Sequence, residues 1–122
     1  TSIEVIPKIN LNKIAMIESS GNPKAHNKKE NACGIYQIRP CVITDYNKFN
    51  ARKFTIQEMF EPLKARRVTD WYFHARIPQL LRAQKKEITS ENMIIAYNCG
   101  AANVGKPLNP ITKRYLRKYF YN

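Results

Sequence analysis

Acidic residues are scarce in this chain: nine Asp and Glu stand against 21 Lys and Arg, giving a formal net charge of +12. An excess of this size implies a polyanionic setting, whether nucleic acid, anionic lipid or an acidic cell-wall polymer. Long apolar runs are missing too. Nothing approaches the roughly 18–20 residues of a membrane span, so no span is expected. The opening nine residues, TSIEVIPKI, lack the charged and apolar regions of a signal peptide. Cysteine is limited to Cys33, Cys41 and Cys99. Their spacing fits no zinc motif, and the two histidines, His26 and His74, complete no ligand set. A disulfide among three cysteines leaves at least one unpaired in a monomer, and the compartment is not fixed by them. There is no internal repeat and no low-complexity segment.

What is present is the composition of a globular protein, 43% hydrophobic and 25% charged over 122 residues. That length suits one compact domain and is short for two. The basic residues fall in clusters at Lys64 to Arg67, Lys85-Lys86 and Lys113 to Lys118, without a dedicated basic tail. Turn residues and apolar spacing predict a first helix over about 12–20, capped by Asn10 or Asn12 and stopped by Gly21. Residues 21–33 read as a loop. Gly34 to Ile38 reads as a short apolar piece that Pro40 terminates, followed by an irregular stretch to about Thr55. A short helical turn is expected at Thr55 to Met59, and a longer helix from Pro62, where proline suits the first position. Its apolar stripe is Leu63, Val68, Trp71, Tyr72 and Ala75, and Pro78 is expected to kink or break it. Thr89-Ser90 cap a helix that ends near Gly100, and a last helix covers about 110–121. The expected fold is mainly α, a single α-rich domain with an irregular insertion after the first helix.

One carboxylate is oddly placed. In Ile14-Ala-Met-Ile-Glu18-Ser-Ser-Gly-Asn-Pro23, Glu18 shares the apolar face with Leu11 and Ile14 and sits in the helix's last turn. The negative end of the helix dipole and apolar neighbours both disfavour its charge. Both are expected to hold it protonated near neutrality, the state of a general acid that protonates a leaving oxygen. Neutralisation by a nearby Lys or Arg, or escape into solvent, is the bland alternative.

The surrounding motifs decide between these. Glu18-Ser-Ser-Gly-Asn-Pro23 with Ala25, Gly34-Ile-Tyr-Gln-Ile38 with Pro40, and Ala96-Tyr-Asn-Cys-Gly100 occur in the order found in lytic transglycosylase catalytic domains, which are related to goose-type lysozyme. Met59-Phe-Glu-Pro62 resembles that family's acid–proline pair opening a helix, and Thr112-Lys-Arg-Tyr115 its late threonine-to-tyrosine signature. The resemblance spans about residues 11–119 and implies a lysozyme-like fold. It implies cleavage of peptidoglycan glycan strands with no metal and no cofactor. Glu18 is then the sole catalytic group, first acid and then base, and the product is a 1,6-anhydromuramoyl end.

The remaining site residues each carry two readings. Gln37 can donate and accept towards a sugar, or stabilise a turn. Tyr97 can bond Glu18 or substrate, or serve in the core. Asn98 can orient backbone near Glu18 or cap a helix. Ser20 can touch substrate or act as a cap, and Tyr115 can line the cleft or belong to the core. Tyr36 can stack a sugar or pack on the first helix. Tyr36 and Cys99 depart from the family, which usually has methionine and alanine there. Cys33 and Cys99 are either a disulfide pair at the cleft or small buried hydrophobes.

Three rival classes stand beside this. A muramidase on the same fold needs a second carboxylate to activate water, for which Glu30 and Asp45 are the candidates. A non-catalytic wall-binding or assembly module has no need of Glu18. A nucleic-acid binder is disfavoured because aromatics are not interleaved with the basic clusters. The expected setting is the periplasm or cell envelope, alternatively a phage particle, with a secretion, conjugation or phage assembly partner.

Overall fold

A computed structural model describes residues 5–121; residues 1–4 of the opening segment read above lie outside the described residues. The chain is mainly α, as expected, and among the described residues its sheet is a single pair of two-residue strands. No described helix is long and apolar enough to cross a membrane. The backbone divides into two compact units, Asn10–Tyr72 and the stretch from Phe73 onward joined by the segment ending at Ile9.

In the first unit, helix α1 spans Leu11–Ser19 and buries Leu11, Ile14 and Ala15. Asn10 caps it, its Oδ1 accepting the Lys13 backbone N–H at 3.2 Å. The stop is not Gly21. Ser20 takes the left-handed position itself at φ 56°, and its N–H closes on the Met16 carbonyl at 3.0 Å. Strands β1 (His26–Asn27) and β2 (Ala32–Cys33) pair antiparallel within the predicted loop. Asn27 Oδ1 accepts the Lys29 and Glu30 N–H groups and so closes the turn between them.

The expected irregular stretch after Pro40 is instead helix α2, Pro40–Phe49. Pro40 opens it at the first position and does not terminate what precedes, while Arg39 stays extended, as a residue before proline must. Val42, Ile43 and Tyr46, three and four apart, turn inward. Tyr46 and Trp71 meet edge to face at 5.2 Å. A 3-10 turn follows at Ile56–Phe60, and helix α3 at Pro62–Trp71. Leu63 proves 84% exposed and leaves the predicted stripe, which is carried by Ala65, Val68 and Thr69.

The 3-10 turn is held by a reciprocal cap between Thr55 and Glu58, and Lys64 reaches back to Glu58 at 2.7 Å and to Glu61 at 3.1 Å. The hydrogen bond from Lys64, then that from the Thr55 N–H, holds the Glu58 carboxyl below its ordinary value. A carboxyl lowered in the folded state adds stability above its unfolded value and loses it as pH falls through the folded one. Glu58→Gln is therefore expected to lower the melting temperature at neutral pH and to converge with the parent protein in acid. Melting curves across that range check it, and an equal deficit at every pH would contradict it.

In the second unit the Ile9 N–H donates to His74 Nε2 at 2.9 Å, which ties the entering segment down. The α-helical pattern is interrupted ahead of Pro78, as expected: a π-helical turn occupies Tyr72–Arg76, and a shorter helix α4, Ile77–Ala83, begins with Pro78 in its first turn. Helix α5, Ser90–Cys99, is capped by Thr89, which accepts the Asn92 N–H at 3.1 Å. Met93, Ile94, Ile95 and Ala96 bury successive positions all round it. Lys86 Nζ donates to the Ala101 carbonyl at 2.8 Å just beyond. Helix α6, Pro110–Tyr121, buries Thr112, Tyr115 and Tyr119 on one side.

Candidate active site

In the Asn10–Tyr72 unit the candidates are Glu18, Ser20, Tyr36 and Gln37. Glu18 is half-buried in the last turn of α1, as its spacing required. The next residue fixes that turn. Ser19 Oγ lies 2.7 Å from the Ile35 carbonyl and 3.2 Å from that of Ala15. A hydroxyl has one proton to give, and the shorter contact, inside the Gly-Ile-Tyr-Gln motif, is the better acceptor. The oxygen also accepts the Asn22 N–H at 3.1 Å. Ser19 thus joins the glutamate-bearing turn to the second motif. Ser20, the serine singled out from the sequence, is the exposed left-handed cap.

The second motif is a closed loop. Cys33 and Ile38 exchange both backbone hydrogen bonds, at 2.9 and 3.0 Å, and the Gln37 N–H returns to the Gly34 carbonyl at 3.0 Å. Gln37 holds φ 52°, an uncommon value for a residue with a side chain. Its Nε2 donates to the Ala25 carbonyl at 3.1 Å and the Gly34 carbonyl at 2.9 Å. Both donor hydrogens therefore hold the loop, which fixes the amide's orientation and leaves Oε1 as its acceptor.

Gly34 backs onto the 3-10 turn so closely that a Cβ there would stand 1.9 Å from the Met59 carbonyl oxygen. The Met59-Phe-Glu-Pro62 motif is therefore in contact with the second motif. Tyr36 is only 3% exposed and offers solvent no ring face, which matches apolar packing. Its hydroxyl accepts from Arg66 Nη1 at 3.0 Å, and the same nitrogen lies 3.2 Å from Asn12 Oδ1.

In the second unit the candidates are Tyr97, Asn98 and Tyr115. Tyr97 is half-buried and stacks on Phe73 with centroids 4.3 Å apart and planes 23° from parallel. Asn98 lies inside α5, whose cap is Gly100, so it is not the terminal cap. Its Oδ1 accepts from the Thr112 hydroxyl at 2.6 Å, and Thr112 is wholly buried. Asn109 Oδ1 accepts the Thr112 N–H at 2.8 Å and starts α6. The third motif is thus joined to the late threonine signature by a side-chain hydrogen bond. Tyr115 is buried, on the inward side of α6.

Ser19, Ala25, Arg66 and Thr112 do this joining, and reading the sequence for site residues picked out none of them. Thr112 had a signal, as part of a recognised signature. Ser19 and Ala25 had one too, as members of the first motif.

The cysteines form no disulfide among the described residues: Cys33 is buried, Cys41 exposed and Cys99 half-buried. Burial pushes the Cys33 thiol up, and a raised thiol holds little of the reactive thiolate. In the folded protein iodoacetamide is expected to label Cys41 first and Cys33 last, with Cys33 reacting readily only in denaturant. Peptide mass spectrometry against time reads this order, and early labelling of Cys33 would contradict the packing of the second motif. Glu30 lies in the exposed turn between β1 and β2 and accepts from Asn27 Nδ2 at 3.3 Å, while Asp45 is half-buried on α2. Among the described residues no group of three His, Cys, Asp or Glu side chains gathers to hold a metal.

Comparison with known proteins gives one family. The family model described as Transglycosylase SLT domain matches residues 3–119. No curated protein and no solved structure matches the chain.

Proposed function

The chain belongs to the SLT family of lytic transglycosylase catalytic domains, and from that premise we propose that it cleaves the β-1,4 bond between N-acetylmuramic acid and N-acetylglucosamine without water, using Glu18 alone. The family acts on peptidoglycan; the residue roles and the chemistry of the step are this proposal. The observation that carries it is the Ser19 to Ile35 bond, which fixes the turn bearing Glu18 against the Gly34–Gln37 loop. A carboxyl used twice must keep its position through both proton transfers.

In the first transfer protonated Glu18 gives its hydrogen to the bridging oxygen as the bond to the muramoyl anomeric carbon breaks. The N-acetylglucosamine side leaves as an alcohol. In the second, the Glu18 carboxylate takes the proton of the muramoyl 6-hydroxyl, whose oxygen closes on the anomeric carbon. Glu18 ends protonated, as it began, and the glycan carries a 1,6-anhydro ring. Gln37 Oε1, its amide donors already engaged by Ala25 and Gly34, accepts from a sugar N-acetyl N–H or hydroxyl. Tyr97, Asn98 and Tyr115, in the second unit, and Ser20, at the end of α1, are assigned contacts to the glycan strand. Tyr36 acts by holding the loop with Arg66. The family match runs through both units, which supports one catalytic domain. The substrate sets the workplace, the periplasm or cell envelope, with a phage particle as the alternative.

Mass spectrometry of the ends released from purified peptidoglycan tests the reaction. Anhydromuramoyl ends are expected. Reducing muramic ends would replace the proposal with hydrolysis and direct attention to Glu30 and Asp45. Intact glycan with folded protein would make the chain a binding or assembly module.

A further inference from the structure

The basic excess has one concentrated expression that the proposed reaction leaves unused. Helix α6 buries Thr112, Tyr115 and Tyr119. At 3.6 residues per turn, Lys113, Arg114, Arg117, Lys118 and Tyr121 succeed one another by steps of one and three, on the arc opposite those three. All five are exposed, and α6 contains no acidic residue. Among the described residues none of the four cations has a carboxylate partner. Apolar groups border the same arc. Tyr121 is 83% exposed, Ile111 67% and Phe120 41%.

A solvated face would be expected to mix charge signs and to turn its rings inward, and this one does neither. Four unpaired cations flanked by two aromatic rings and an isoleucine suit a surface that is anionic at its boundary and apolar just beneath. A dissolved polyanion meets the cations but gives the exposed rings nothing to enter.

We propose that the outer face of α6 docks the protein on an anionic phospholipid surface, its cations on the headgroup phosphates and Tyr121 and Phe120 at the headgroup–acyl boundary. Nothing in this depends on Glu18 or on glycan cleavage.

The test is co-sedimentation of the whole chain with vesicles of equal parts phosphatidylglycerol and phosphatidylcholine, beside vesicles of phosphatidylcholine alone. Binding is expected only to the first and is expected to weaken with added salt. Reversing two charges in Arg114→Glu/Arg117→Glu should weaken it at least about tenfold, since each basic residue near such a surface contributes about fivefold. Lys28→Glu/Lys29→Glu makes the same change of net charge in the exposed hairpin turn and should weaken it far less. Phe120→Ala/Tyr121→Ala, all charges kept, should also weaken binding severalfold. All variants alter exposed side chains, and matching circular dichroism melts confirm that they fold. Equal losses from the two charge reversals would overturn the proposal in favour of bulk charge. Full binding by the aromatic double variant would overturn it in favour of a dissolved polyanion, and no binding by the parent chain would overturn it outright.

Discussion

Glu18→Gln is expected to lower glycan cleavage by about 10²–10⁴-fold, the range a positioned general acid contributes. Glutamine keeps the length and nearly the shape of the side chain, so it tests the proton and not the packing. The fold should hold. Glu18 is half-buried at the end of α1, where the helix dipole opposes a negative charge. Glutamine stands in for the protonated carboxyl, so the melting temperature should stay close to that of the parent protein. Glu18→Asp keeps the acid and withdraws it by one methylene. Because the Ser19 bond fixes the backbone beneath it, the helix cannot advance to compensate, and a misplacement of about 1 Å costs on the order of 10²-fold. Release of muropeptides measured against time reads both variants. A Glu18→Gln protein that retains a tenth or more of the parent rate would remove Glu18 from the centre of the mechanism.

The second large effect is on stability. Gly34→Ala is expected to cost about 3 kcal/mol or more, the sum of left-handed backbone strain and overpacking. The new methyl group would stand 1.9 Å from the Met59 carbonyl oxygen and 2.8 Å from its carbon. Those are backbone atoms of a turn already fixed by the Thr55–Glu58 cap, so they cannot step aside as a side-chain tip would. The backbone at Gly34 also has φ 81°. Gly105→Ala separates the two costs, since Gly105 has φ 88° and nothing within 4 Å of the added carbon. It carries the conformational strain alone. Thermal melts should place Gly34→Ala roughly 10–20 °C below the parent protein and Gly105→Ala well above it. Equal falls would show that the approach to Met59 does not matter.

Much of the helical frame was legible because it is written in local chemistry. Thr89 before an apolar run, Pro62 at a first turn, and Asn10 ahead of Leu11 each act within four residues of where they stand. Misreadings came where one residue type serves opposite ends. Pro40 begins a helix as readily as it ends what precedes, so α2 went unseen behind it. Pro78 marked the interruption of the long helix, but the π turn that forms it lies ahead of the proline and has no local sequence mark.

At the site, the motifs were recognisable one by one, but their joints were not. Ser19 finds Ile35 sixteen residues away and Thr112 finds Asn98 fourteen away. Neither bond obeys a helical or strand period, so only the folded chain discloses it. The same holds for the bond of Gln37 to Ala25, twelve residues away, and for the hydroxyl of Tyr36, which meets Arg66, whereas the bond of Gln37 to Gly34 is the turn-stabilising use its sequence position suggests.

Those joints change what a transplant of this site would require. Copying Glu18, Gln37 and Asn98 onto another scaffold would deliver the proposed site residues without their anchors. The smallest portable parts are couples: Glu18 with Ser19 and the carbonyl of residue 35, Gln37 with the carbonyls of 25 and 34, Asn98 with Thr112. A library that randomises single positions will find most of them intolerant, whereas one that varies both members of a couple together can recover working combinations.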